Sequence, residues 1–289
     1  MKIWQESLIN LISSKKRKVF SKYDFSNLFS DYEDELGIPK SWSTTRLISF
    51  LVNEGILNEI ILNREGKTKT GAKKRFLCGQ VSPFSIGISL RKGSYLSHST
   101  AVFLHALTDQ NPKTIYVNKE QTPKPRSRGG LSQPAIDRAF SNQPRTSSYA
   151  FLSRGFRYVL LSGKHTNKLG VQTIEIQPNE YIDVTNIERT LIDIVVRPVY
   201  SGGVVNILDA YIKAKDNVSV QKLLDILKNL DYVYPYHQAI GFLMDRAGFP
   251  EKDLKAIQDL GIKWNFYLDY NMQEPLFDNR WSLFYPQGI

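Results

Sequence analysis

Thr45, Arg46, Ser49 and Asn53 recur at helical spacing within the segment TTRLISFLVN, which sets two hydroxyls, a guanidinium and a carboxamide on one side of a helix. These are the groups that read base edges in a major groove. Arg donates to both acceptors of guanine, Asn pairs a donor and an acceptor with adenine, and hydroxyls reach bases or phosphates. Ser41 and Trp42 come just before them, at the end of the helix expected to enter a groove most deeply. Leu47, Phe50 and Leu51 fall on the other side and belong in a core. A solvated amphipathic helix has the same pattern, so the flanking residues must decide. They are cationic: Arg64, Lys67, Lys69, Lys73, Lys74 and Arg75 face one acid, Glu65, in a stretch where Gly66 and Gly71 permit tight turning. Cations on a hairpin beside a groove-bound helix would hold phosphates and set register without reading sequence.

Two other groups of residues invite chemistry. In YIDVTNIERTLIDIV, Asp183, Glu188 and Asp193 flank Arg189, superficially like the carboxylates of a metal-dependent nuclease. A structural reading fits better: Thr185 and Glu188 have the spacing of a capping box, Asp183 closes a strand, and Glu188, Arg189 and Asp193 form a polar network at a strand-to-helix junction. The chain is then not an enzyme, and a nuclease using the three carboxylates is the alternative. The second group is the cationic middle, where Arg126, Arg128, Arg138, Arg145, Arg154, Arg157, Lys164 and Lys168 are interleaved with Phe140, Tyr149 and Phe156. The aromatics are expected in the core; Arg126, Arg128, Arg138 and Arg145 are candidates for a secondary contact with nucleic acid or an acidic partner.

His98 and His105, seven residues apart, lack a third ligand, and the four histidines have no zinc spacing. Cys78 is the single cysteine, so no intrachain disulfide forms. There is no phosphate loop, nucleophile elbow or HExxH. Neither metal nor cofactor is expected.

The elements that position these residues follow from periodicity and punctuation. Apolar residues from Ile3 to Ile12 mark a first helix, ended by Lys15-Lys16-Arg17-Lys18; Phe25, Leu28, Phe29 and Tyr32 mark a second over Lys22–Leu36. Ser41 or Ser43 caps the third, residues 42–54, and two strands around a polar turn follow. Three helices and a hairpin in that order predict a winged helix-turn-helix over residues 1–82. VSPFSIG reads as a linker to a larger mixed α/β domain, residues 90–289, which ends in a helical segment. Its strands are expected near 113–118, 156–161, 171–176 and 181–184, and its helices at 187–196, 203–214, 219–230, 235–247 and 251–260. Residues 119–148, rich in Pro, Gly, Ser and Arg, predict a long basic loop with a short helix at 134–140. The fold class is α+β.

The net charge of +10 is unevenly spread. Residues 1–80 carry 14 Lys/Arg against 9 Asp/Glu and residues 113–168 carry 11 against 2, while residues 169–289 carry 11 against 16. A polyanion is the expected partner of the first half, and a different partner that of the last third. No apolar run approaches a membrane span, and MKIWQESL lacks the order of a signal peptide, so a cytoplasmic location is expected.

GSYLSHSTAVFLHALTDQNPKTIYV and VTNIERTLIDIVVRPVYSGGVVNILDAY resemble the two signature segments of the AbiE-type antitoxins, transcriptional regulators of type IV toxin–antitoxin (abortive-infection) systems in phage defence. PYHQAIGFLMDRAGFP is similar to that family's late helical segment. The more specific pattern runs through Glu188, Arg189, Thr190, Leu191, Asp193, Arg197, Pro198, Gly202 and Gly203, which the resemblance marks as fold determinants. The resemblance implies a double-stranded DNA operator with inverted repeats. It also implies a nucleotidyltransferase-like toxin as functional counterpart, countered without a stable complex.

Overall fold

The computed structural model describes residues 2–66, 71–123 and 130–289. Lys67, Lys69, Arg126 and Arg128 lie outside the described residues. The chain is a mixed α+β protein. Its first elements are α1 (Ile3–Ser14), β1 (Val19–Phe20), α2 (Lys22–Leu36), α3 (Thr44–Asn53), β2 (Leu57–Arg64) and β3 (Lys73–Cys78). Local chemistry sets their ends. Ser21 and Asp24 form a reciprocal capping box that starts α2. Ser43, rather than Ser41, caps α3 by accepting from the Arg46 amide. Leu8, Ile12, Phe25, Phe29, Leu47, Leu51 and Phe76 pack together between the three helices and the strands. One expectation for α1 fails: Ile3 is 86% exposed, and Trp4 takes the core position by packing edge-on to Trp42 at 4.8 Å.

The second set begins with α4 (Pro83–Ile88), β4 (Tyr95–Leu96), α5 (His98–Leu104), β5 (Thr114–Glu120) and α6 (Gln133–Phe140). It continues with β6 (Ala150–Ser153), β7 (Phe156–Gly163), β8 (Val171–Gln177) and β9 (Glu180–Thr185). Nine strands form one sheet in the order β1-β3-β2-β6-β7-β5-β4-β9-β8, with β5 parallel to β7 and β4 parallel to β9. β2 joins the two parts: it pairs with β3 over most of its length, while Asn63 and Arg64 pair with Leu152 and Phe151 of β6. The segment expected as a linker is α4, capped by Ser82 and laid on the sheet. Gly87 lets it approach so closely that a Cβ there would lie 3.1 Å from side-chain carbons of Ile115 and Val117. Pro and Gly, read as breakers, serve here as a helix start and a close contact.

The last elements are α7 (Ile187–Val196), α8 (Val204–Ala214), α9 (Val220–Leu230), α10 (Tyr236–Arg246) and α11 (Glu251–Gln258), then β10 (Phe266–Tyr267), β11 (Leu276–Asp278) and β12 (Leu283–Tyr285). α7 is the central post, buried except at Ile187, with the other helices around it. The short strands form a separate sheet, β10-β12-β11, which sequence patterning did not foresee because each has only two or three residues. Trp281 fastens it to α10: fully buried, the ring donates to Asp245 at 3.0 Å and lies over Gly241. A Cβ on Gly241 would fall 2.1 Å from that ring. Gly241→Ala is therefore expected to lower stability by about 1–3 kcal/mol in urea unfolding, because a ring anchored at one edge cannot retreat. Wild-type stability in this variant would show that the ring has room to move. No helix among the described residues is long and apolar enough to cross a membrane.

Candidate nucleic-acid interface

α3 presents Thr45, Arg46, Ser49 and Asn53 to solvent while Leu47, Ile48 and Leu51 are buried. The side chains of Thr45, Ser49 and Asn53 make no hydrogen bond with other described residues. Arg46 lies over the Trp42 ring at 4.3 Å, a cation–π contact that holds the guanidinium without using its donors. Ser41 is exposed just before the helix. Trp42 departs from its expected place on the reading face. It is half-buried between Trp4 and Phe50, so it is the wall on which Arg46 rests.

The hairpin cations differ more strongly from expectation. Arg75 is buried, donating to the Ser89 carbonyl at 2.9 Å and to the Ser89 hydroxyl at 3.1 Å, so it ties β3 to α4 and is unavailable to phosphate. Arg64 lies over Tyr149 at 4.6 Å and Lys73 over Phe151 at 5.8 Å, both rings of the second part. Lys74 is exposed but pairs with Glu59 at 2.7 Å. The cause is strand alternation combined with docking: Lys73 and Arg75 point to the side opposite Lys74. Counting charges along the hairpin could not show this. Glu65, at the turn, accepts three bonds from Arg157, at 2.8, 3.0 and 2.7 Å, and that guanidinium holds its carboxyl below the usual carboxylate range.

The middle cations also divide by partner. Arg157 serves Glu65, Lys168 pairs with Asp183 at 2.9 Å, and Lys164 donates to the Asp231 carbonyl at 2.8 Å just past α9. Arg138 and Arg154 are exposed, and Arg145 borders a cleft considered below. Phe140 is buried, and Tyr149 and Phe156 pack partly buried against the sheet core.

The three carboxylates do not converge. Asp183 bonds Lys168 and Thr173; Glu188 accepts from the Ser219 amide at 3.2 Å and pairs with Lys222 at 3.0 Å; Asp193 holds Arg189 at 2.7 Å. Among the described residues no group of three or more His, Cys, Asp or Glu is placed to hold a metal ion. The expected Thr185–Glu188 capping box is also absent. Asn186 is the cap, accepting from the Arg189 amide at 2.8 Å, and Thr185 bonds Thr190 instead. Asparagine is as good a cap as threonine, and Glu188 finds a stronger partner at the start of α9. The Arg189–Asp193 pair is the centre of the network, with side chains 4% and 7% exposed. Beyond it, Arg197 ends α7, and Gly202 and Gly203, both at positive φ, turn the chain into α8.

His98 sits beside this network, buried, with Nδ1 2.8 Å from the Ser97 hydroxyl and its ring edge-on to Tyr200. Burial pushes its pKa from the ordinary 6.5 down to about 4. A depressed histidine pKa means that stability is full above about pH 6.5 and falls as the pH drops toward 4. From pH 7.5 to 5.0 the wild type is expected to lose about 1–2 kcal/mol through this group. His98→Gln should flatten the dependence, measured by urea unfolding at both pH values; an unchanged slope would contradict the assignment.

No family model matches the chain, and no curated protein matches it. Among solved structures it is similar to the crystal structure of the RV2827C protein from Mycobacterium tuberculosis, with a TM-score of 0.59 at 14% sequence identity. That likeness covers 99% of this chain and 92% of the other, and it speaks to fold alone.

Proposed function

We propose that this protein is a sequence-specific DNA-binding repressor and the antitoxin of a type IV toxin–antitoxin system, with residues 1–82 as a winged helix-turn-helix. The observation that carries the reading is α3, whose exposed Thr45, Arg46, Ser49 and Asn53 have donors and acceptors suited to base edges and not committed elsewhere. The element order supports it, because a third helix followed by a hairpin is the winged-helix arrangement. The hairpin's role changes from the expected one: its base is fastened to the second part through Arg75, Glu65 and β6, so α3 is held at a fixed orientation to the rest of the chain. Base reading by α3 therefore carries specificity, and phosphate contacts fall to other exposed cations.

The antitoxin role rests on the resemblance of the Glu188–Gly203 pattern and has its own test. A neighbouring nucleotidyltransferase-like gene is expressed with and without this chain while a reporter reads the shared promoter. Expected are restored growth and a silenced reporter, with the reporter alone relieved by Arg46→Ala. Growth arrest that this chain does not relieve would remove the antitoxin assignment, and a reporter indifferent to it would remove the repressor assignment.

A further inference from the structure

Between the ends of β5 and β7 on one side and α7 with the end of α9 on the other lies a cleft of about 1020 Å³. Among the described residues four cations border it, Arg145, Lys164, Arg189 and Arg197, against two acids, Asp193 and Asp231. Two of the four are committed. Arg189 is held by Asp193 and the Leu169 carbonyl, and Lys164 by the Leu230 and Asp231 carbonyls at the end of α9, where it lies over the Tyr232 ring at 5.5 Å. The other two are not. Arg197 is half-buried at the end of α7, and among the described residues its guanidinium has neither an acceptor nor an acidic partner; the same holds for Arg145 at the rim.

A guanidinium carries five donors and stays charged, so one that is half-buried and not held by a protein acceptor keeps its donors available to an anion. Its planar fork matches the oxygens of a phosphate. One part of the wall is of another kind. Tyr232, Tyr200 and Pro123 line it, and Val233, 66% exposed, stands at its mouth. Cations beside a flat aromatic and aliphatic wall, in a cleft of small-molecule size, suit a ligand with an anionic end and a planar end. We propose that this cleft binds a nucleoside phosphate, with the phosphate on Arg197 and Arg145 and the base on the side lined by Tyr200, Pro123 and Val233. The inference does not depend on DNA reading by α3.

The test is calorimetric titration of the full chain with ATP, GTP, CTP, UTP, their monophosphates and inorganic phosphate. At least one nucleotide is expected to bind at least tenfold more tightly than inorganic phosphate. Arg197→Gln should weaken it at least tenfold, and Arg145→Gln, at an exposed position that leaves folding intact, by a smaller factor. Arg46→Ala and Arg138→Gln should leave nucleotide binding unchanged, which separates the cleft from general attraction to a basic protein. Three results would overturn the proposal: no nucleotide binding by the wild type, inorganic phosphate binding as tightly as any nucleotide, or binding undiminished in both cleft variants.

Discussion

Replacing Asp193 with alanine is expected to destabilise the protein by about 3–5 kcal/mol, among the largest effects of any single substitution in this chain. Arg189 and Asp193 face each other one turn apart on α7, with almost no water access, and Asp193 accepts from Nε at 2.7 Å. Removing the carboxylate leaves a guanidinium that cannot neutralise, at the centre of the helix around which the others pack. Coulombic attraction to Asp193 holds the Arg189 pKa above its ordinary value even though burial acts the other way, so the charge persists. Substituting both partners, Arg189→Met with Asp193→Leu, should recover most of the loss, because well-packed apolar side chains can replace a buried pair. Urea unfolding followed by circular dichroism measures both. A loss under about 1 kcal/mol for Asp193→Ala would mean that water reaches the pair.

Arg46→Ala should relax base preference at one or two operator positions and weaken binding there by about 1–3 kcal/mol, roughly 5-fold to 150-fold, while the fold is unchanged. Arg46 is exposed and, among the described residues, its side chain is held only by the Trp42 ring, so its removal takes away a reading group without opening the core. Trp42→Ala is expected to behave differently. It removes the partner of Trp4 and Phe50, so it should lower stability and reduce binding to all sequences together. Competition binding against operators altered one base pair at a time distinguishes the two. Equal loss at every sequence for Arg46→Ala would make it a phosphate contact, not a reader.

Helices were legible in the sequence because their determinants are local. α2 announces itself through Phe25, Leu28, Phe29 and Tyr32 at helical spacing, and α7 through the run from Ile187 to Val196. The solvent face of α3 was legible for the same reason. What stayed hidden depends on partners far along the chain. Arg75 looks like a surface cation until Ser89 is placed beside it, and Glu65 looks like an isolated acid until Arg157, 92 residues away, reaches it. Trp42 shares the spacing of the reading face, but only Trp4 from α1 shows that it belongs to the core. The cleft at Arg197 brings together six separate stretches of the described residues, and no spacing rule connects Arg145 with the end of α7.

The central claim is that α3 reads DNA, and its most direct measurement is sequencing of sheared genomic fragments retained by the purified full chain. In parallel, the same is done with a chain carrying alanine at Thr45, Arg46, Ser49 and Asn53. The account predicts that wild type enriches one short inverted repeat, and that the variant, folded to the same extent, loses that enrichment while keeping weak, salt-sensitive retention of all fragments. Enrichment of the same repeat by both proteins, or of no repeat by the wild type, would contradict it.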